Sequence, residues 1–298
     1  MIRNSLFIIL LGSLLFLPLG AKGAILYLEP LRSTHNQGDT FIVEVRLDSQ
    51  GEYINAVEVN LGFDKDILEV QDLSQGNSVL TLWIKKPDFS NGVISFIGGT
   101  PGGYQGPEGL LIKIAFLGKV QGDARVVFQN NSKILLNDGK GTPADLITES
   151  ANFSISAIKP EIPEDEWQKE IEKDENSPQS FEIEISQDPA IFKGKYFITF
   201  STTDKETGIA HYEVKEGKRD WKMGNSPYVL ENQKLTDDIW VKAVDKAGNE
   251  WIEIVKAPRV SIWKCIFDAV LVLVLLLVII GLGWWIIKNV KRKMKNAK

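Results

Sequence analysis

The chain has 298 residues with 34 lysines and arginines, 39 aspartates and glutamates, two histidines and one cysteine. A lone cysteine excludes an internal disulfide framework, so any domain has to be held by its own core. The formal net charge of −5 hides an asymmetry, since residues 24–261 carry 25 basic and 38 acidic side chains. An acidic body of that kind argues against nucleic acid as a ligand.

At the start, Arg3 precedes an apolar run from Leu6 to Leu19, and Ala21-Lys22-Gly23 supplies small residues before a cut ahead of Ala24. Residues 1–23 therefore read as a secretory signal peptide. From Ala24 onward the pattern is one of short strands. AILYLEP, TFIVEVRLD, AVEVNLGF, VISFIGG, LLIKIAFLG, ARVVFQ and ANFSISA alternate or run apolar, and NQGD, SQGE, FDKD, FSNG and VQGD separate them as turns. At least seven strands over residues 24–157, with no helical periodicity, predict a two-sheet sandwich or jelly roll.

Residues 158–180 are charge-dense and punctuated by proline, and read as an exposed linker. The alternative is a short helix, in which Asp165 and Lys169 are spaced to pair and Trp167 and Ile171 share a side. Strands resume with FEIEIS, YFITFST, IAHYEVKE, YVLE, DIWVKAVD and WIEIVKA, and residues 181–258 predict a second, immunoglobulin-like β-sandwich. Ala269 to Ile287 is a run of 19 residues without a charge, about 28 Å as a helix against a hydrocarbon core of about 30 Å. Residues 264–287 are thus expected to form one transmembrane helix, edged by Trp263, Trp284 and Trp285. Residues 288–298 hold six lysines and arginines and are expected to stay in the cytoplasm, leaving the body outside.

Little in the chain suggests catalysis. His35 and His211 fall in different domains, and no HExxH, GxSxG, phosphate-loop or paired-cysteine motif occurs. Asp64 and Asp66, or Asp245 and Asn249, place oxygen ligands close together, but each cluster alone is too small for calcium, so no metal or cofactor is expected. The glycine cluster at 98–106 lacks the lysine and helix of a phosphate site and reads as a mobile loop. Tyr104 within it, and Trp83, are the two aromatic candidates for a sugar or protein ligand.

The strand INAVEVNLGF continuing into DKDILEV is the most specific stretch. Val57, Val59, Leu61 and Phe63 fall on one side, Ala56, Glu58, Asn60 and Gly62 on the other, and a turn through Asp64 returns to the core at Leu68 and Val70. Together with QGDTFIVEVRL (37–47), GVISFIGG (92–99), GLLIKIAFLGK (109–119) and ANFSIS (151–156), this stretch makes the first domain resemble a cohesin. That is the module which receives dockerin domains in cellulosome scaffolds. The resemblance implies a nine-stranded jelly roll related to carbohydrate-binding modules, and a flat sheet face that binds the partner. Position by position it makes Glu58 and Asn60, flanked by Ala56 and Gly62, the candidates for that face.

Three readings follow. One is a membrane-anchored surface module that docks a dockerin-type or other protein without catalysis, tied through the resemblance to polysaccharide breakdown. A second is a carbohydrate-binding module, which a planar row of exposed aromatic residues would mark. The third is a structural or adhesive surface protein.

Overall fold

A computed structural model describes residues 23–157 and 162–257, together with scattered positions between 270 and 285. The expected signal peptide, apart from Gly23, and the basic tail lie outside the described residues, as does much of the expected span. The described positions of that span are helical, with side chains such as Leu273 and Ile280 exposed. No helix among the described residues is long and apolar enough to cross a membrane.

Twelve strands build the first unit. β1 (Ala24–Glu29), β3 (Thr40–Asp48), β5 (Leu68–Ser74), β8 (Gly109–Gly118) and β11 (Leu146–Glu149) form a sheet in the order β11-β1-β3-β8-β5. The other sheet has the order β2-β12-β9-β4-β7-β6, from β2 (Arg32–Asn36), β4 (Ile54–Phe63), β6 (Leu82–Ser90), β7 (Val93–Tyr104), β9 (Gly122–Phe128) and β12 (Ala151–Ser156). β10 (Lys133–Leu136) also pairs with β4, beside β9. The sandwich is thus three strands larger than the jelly roll that the resemblance implies.

The alternation expected for β4 holds. Val57, Val59 and Leu61 are buried, and Phe63 packs against Phe116 with ring centroids 5.4 Å apart. Between the sheets, Phe41, Phe96, Phe116 and Phe153 are fully buried, each stabilising the fold by roughly 1.5–3 kcal/mol through apolar burial. Asp64 serves the turn. Its Oδ2 accepts the Arg125 N–H at 2.7 Å, and its carbonyl accepts the N–H groups of Ile67 and Leu68, which returns Leu68 and Val70 to the core.

The exposed linker expected over 158–180 is instead, from residue 162, a packed connection. Its centre is α1 (Glu166–Lys173). Asp165 caps it by accepting the Gln168 N–H at 2.8 Å, and Lys169 pairs with Glu164 at 3.6 Å rather than with Asp165. The helix forms because the cap, the acidic first turn and the basic last turn all agree with it. It lies on the outer side of the sheet containing β3 and β8. Trp167 is 7% exposed and donates its indole N–H to Asp72 at 3.0 Å, while Glu170 pairs with Lys113 at 2.7 Å and Glu166 accepts the Ile42 N–H at 3.0 Å. Asp39 accepts the Glu164 N–H at 3.0 Å just ahead of the helix.

The second unit is a two-sheet β-sandwich. β13 (Ile183–Gln187), β14 (Tyr196–Phe200) and β17 (Tyr228–Val229) form one sheet. β15 (Ile209–Glu216), β16 (Lys222–Met223), β18 (Ile239–Asp245) and β19 (Glu250–Val255) form the other, in the order β16-β15-β18-β19. Its own core includes Ile198, Phe200, Tyr212, Val214 and Val241.

The two units touch directly. Ser74 Oγ donates to the Thr207 carbonyl at 2.7 Å, the Asn77 N–H donates to the Asp204 carbonyl at 3.2 Å, and Lys246 pairs with Asp72. A Cβ added at Gly76 would lie 2.1 Å from the Glu206 carbonyl oxygen. Gly76→Ala is therefore expected to push the loops apart and to cost about 1–3 kcal/mol, as overpacking does. Both sandwiches would keep their folds, so small-angle scattering should show a lengthened particle with circular dichroism unchanged.

Candidate docking face

β4 is a central strand, flanked by β7 on one edge and by β9 and β10 on the other. Residues directly opposite across antiparallel strands point to the same side, so the register defines the surface around it. Glu58 stands opposite Lys133 and Ile97, Asn60 opposite Ser95, Ala56 opposite Leu135 and Gly99, and Gly62 opposite Val93 and Val127. β6 extends the patch, with Lys85 beside Ile97 and Asp88 beside Ser95. The four predicted residues Ala56, Glu58, Asn60 and Gly62 are thus brought together on one outward side, each half-buried by its neighbours.

Mixed chemistry marks the patch. Glu58 pairs with Lys133 at 2.8 Å, and Lys85 donates to Ser95 Oγ at 2.5 Å. The pair is partly exposed, 29% for Glu58 and 56% for Lys133, so it contributes only about 0–1 kcal/mol to stability. Asn60 is held by its backbone: Ser132 Oγ accepts its N–H at 3.0 Å and donates to its carbonyl at 3.1 Å, where the edge of β4 passes from β9 to β10. The Asn60 Nδ2 is shielded from solvent without a hydrogen-bond partner among the described residues, an uncommon state for an amide. Around these polar groups Val93, Ile97, Val127 and Leu135 are half-buried apolar neighbours.

Trp83 and Tyr104 do not join this patch, which corrects their selection as face residues. Trp83 stands opposite Gly98 on the inner side of the sheet and meets Phe96 edge-on at 6.0 Å. Tyr104 stands opposite Ile54 and packs against the core. Its ring fills the space that a side chain at Gly106 or Gly109 would need, and burial raises its pKa above the ordinary phenol value. Two glycines were thus the room for a tyrosine, and Tyr104 anchors the loop from inside. The planar aromatic row that a sugar platform needs loses both of its candidates.

The sequence reading missed Lys85, Ser95, Ile97 and Lys133. For Val93, Ser95 and Ile97 the period-two alternation of VISFIGG was a sufficient signal. Lys133 had none, because KILL is too short to read as a strand. Also missed is a cleft of about 550 Å³ between the two units, bordered by Trp83, Lys86, Phe200, Thr202 and Tyr212.

No family model matches the chain, and no curated protein matches it. Solved cohesin modules do, over about 45% of its length. A non-cellulosomal cohesin from the hyperthermophilic archaeon Archaeoglobus fulgidus is 18% identical, with a TM-score of 0.39 over 47% of this chain and 94% of that one. The sixth cohesin of scaffoldin B from Acetivibrio cellulolyticus, solved in complex with a Cel5 dockerin, is 17% identical, with a TM-score of 0.38 over 45% of this chain and all of that one (100%). CaCohA2 from Clostridium acetobutylicum is 17% identical, with a TM-score of 0.38 over 45% and 93% of the two chains.

Proposed function

We propose that the protein is a membrane-anchored surface protein whose first, cohesin-like sandwich docks a dockerin-type protein, without catalysis, on the outer face of β4, β7 and β10. The supporting observation is an asymmetry between the two sheets. The outer side of the sheet with β3 and β8 is covered by α1, leaving Leu110 and Ala115 only 5% and 2% exposed, whereas the side bearing Glu58, Ile97 and Lys133 has no covering element among the described residues. A flat surface of partly buried apolar side chains with a few charged and amide groups is what a reversible protein interface uses. The dockerin-type partner is carried over from the sequence resemblance. The anchor is carried over from the apolar run at 264–287, and the immunoglobulin-like unit would hold the face away from the lipid.

The test is calorimetric titration of the chain with dockerin-type proteins of the same cell, alongside a panel of polysaccharides. Glu58→Lys places a second ammonium against Lys133, and the expected result is a loss of roughly tenfold or more in affinity, about 1.4 kcal/mol or greater. Unchanged affinity in that variant removes the chosen face. Polysaccharide uptake with no protein bound removes the docking reading altogether.

A further inference from the structure

Three carboxylates from distant parts of the chain meet where the units join. Asp174 is the C-cap of α1, Asp204 sits in the loop between β14 and β15, and Asp245 ends β18. They are 6%, 2% and 2% exposed, and one oxygen from each lies within 4.8 Å of the others. No lysine or arginine among the described residues forms an ion pair with any of them, and Lys246, next to Asp245 in sequence, is committed to Asp72. Buried carboxylates gathered without a counter-charge repel one another and have lost their water, an arrangement that proteins keep when a cation neutralises it.

The hydrogen bonds hold the carboxylates in place and leave one oxygen over. Asp174 Oδ2 accepts from the Thr207 hydroxyl at 2.5 Å and its N–H at 3.2 Å, and Oδ1 accepts the Asn176 N–H at 3.1 Å. Asp245 accepts the N–H and the side-chain amide of Asn249 at 2.8 and 3.0 Å. Asp204 Oδ1 accepts three N–H groups, from Glu206, Thr207 and Gly208, at 3.0, 3.0 and 2.9 Å. Its Oδ2 is buried with no partner among the described residues. Burial, together with the nearby charges of Asp174 and Asp245, raises the pKa of Asp204 despite those three donors.

We propose that Asp174, Asp204 and Asp245 form a binding site for a divalent, oxygen-seeking cation of the calcium type, with Asp204 Oδ2 as the ligand the fold leaves open. Calcium binds carboxylate, carbonyl and water oxygens at 2.3–2.6 Å, so two oxygens on one ion stand at most about 5 Å apart, and the observed spacing already satisfies that limit. All donors here are hard oxygens, which favours calcium or magnesium over softer metals. The expectation of no metal rested on Asp245 and Asn249 having too few neighbours in sequence; the fold supplies Asp174 and Asp204 from 71 and 41 residues upstream. Such an ion would tie the end of α1 to both sheets of the second unit. The Asp204 loop also carries the contacts to Ser74 and Asn77, so the ion would stiffen the junction between the units. The site stands apart from the docking reading and does not depend on it.

The full chain in detergent, stripped with a chelator, would be titrated with calcium chloride to about 5 mM by calorimetry, with thermal unfolding followed in parallel. The expected result is saturable uptake of one ion per chain and a higher melting midpoint. In Asp204→Asn, uptake should fall at least tenfold. The metal-free variant should melt at or above the metal-free wild type, since one of three repelling charges is gone. A structural carboxylate with no ion would give the opposite, a variant that melts lower and a wild type that takes up no calcium. Absence of saturable uptake in the wild type, or undiminished uptake in Asp204→Asn, overturns the site. Tighter uptake of magnesium overturns its assignment to calcium. Should Asp204→Asn fail to fold, Asp245→Asn with the wild-type titration decides in its place.

Discussion

Replacing Phe41 by alanine is expected to cost the first sandwich about 3–5 kcal/mol, the usual toll of removing a buried aromatic ring and leaving its cavity. Phe41 is fully buried, and its ring centroid lies 6.1 Å from that of Phe116 in its own sheet and 5.3 Å from that of Phe153 in the opposite one. It therefore joins the layers rather than filling a gap within one. Against a typical total of about 5–15 kcal/mol for a domain, that loss should lower the urea midpoint of the chain sharply. His35 offers a local readout, because it stacks on Phe41 at 3.8 Å. Burial lowers the His35 pKa, against the pull of Glu166 and Asp39. The sign follows from linkage: the folded state binds its proton less readily than the unfolded chain, whose histidine titrates near about 6.5. Stability is thus full above that pH and declines as pH falls through the lowered folded value. In Phe41→Ala the imidazole gains water, its pKa should rise toward the ordinary value by NMR titration, and the acid slope should flatten.

What the sequence could and could not disclose follows from how far each feature depends on distant contacts. β4 was legible because a central strand with one buried side imposes strict alternation on itself. The same rule placed Ala56, Glu58, Asn60 and Gly62 outward without any knowledge of their neighbours. β6 was not legible, since LWIKKPDFS carries a proline and three charges and is mostly exposed, a composition suited to an edge strand and hard to tell from a loop. β2 is the polar segment RSTHN, held as a strand by parallel pairing with β12, more than 100 residues away in sequence. Trp83 and Tyr104 could each serve the core or a ligand by sequence alone, with the core favoured, and their opposite residues, Gly98 and Ile54, decide for the interior.

The covering of one sheet did leave a trace. In an antiparallel sheet with a solvated side, apolar and polar residues should alternate, yet β8 reads GLLIKIAFLG, with only Lys113 polar. Leu110 and Ala115 are apolar because α1 and the adjoining chain cover them, and Lys113 is accommodated because Glu170 on α1 meets it. The helix itself was masked by its composition. Its charges and flanking prolines describe a solvated segment, and its one buried side chain, Trp167, depends on a hydrogen bond to Asp72, 95 residues earlier. The carboxylates of the junction are hidden in the same way, since each alone is an ordinary turn or cap residue.

Trp167→Ala should release that helix. The indole fills the contact between α1 and the first sandwich, gives its N–H to Asp72 at 3.0 Å and lies 5.8 Å beneath the Lys246 ammonium. One side chain therefore touches the first unit, the connection and the second unit. Truncation is expected to cost about 3–5 kcal/mol from packing and cavity terms. Trp167→Phe, which keeps most of the packing and loses the N–H bond, should cost roughly 1 kcal/mol. Because each sandwich has its own core, the loss should appear as uncoupling rather than collapse. Thermal unfolding that is cooperative across both units in the wild type should separate into two transitions in Trp167→Ala, and protease should cut within residues 162–175. A single unchanged transition would mean that α1 does not couple the units. The consequence for docking is geometric. With Trp167 in place α1 is tied to both units, and without it the connection should regain the reach and freedom of a flexible chain. Intrinsic affinity for a partner should then be unchanged, while the spread of distances between labels on β6 and β19 widens in fluorescence energy transfer.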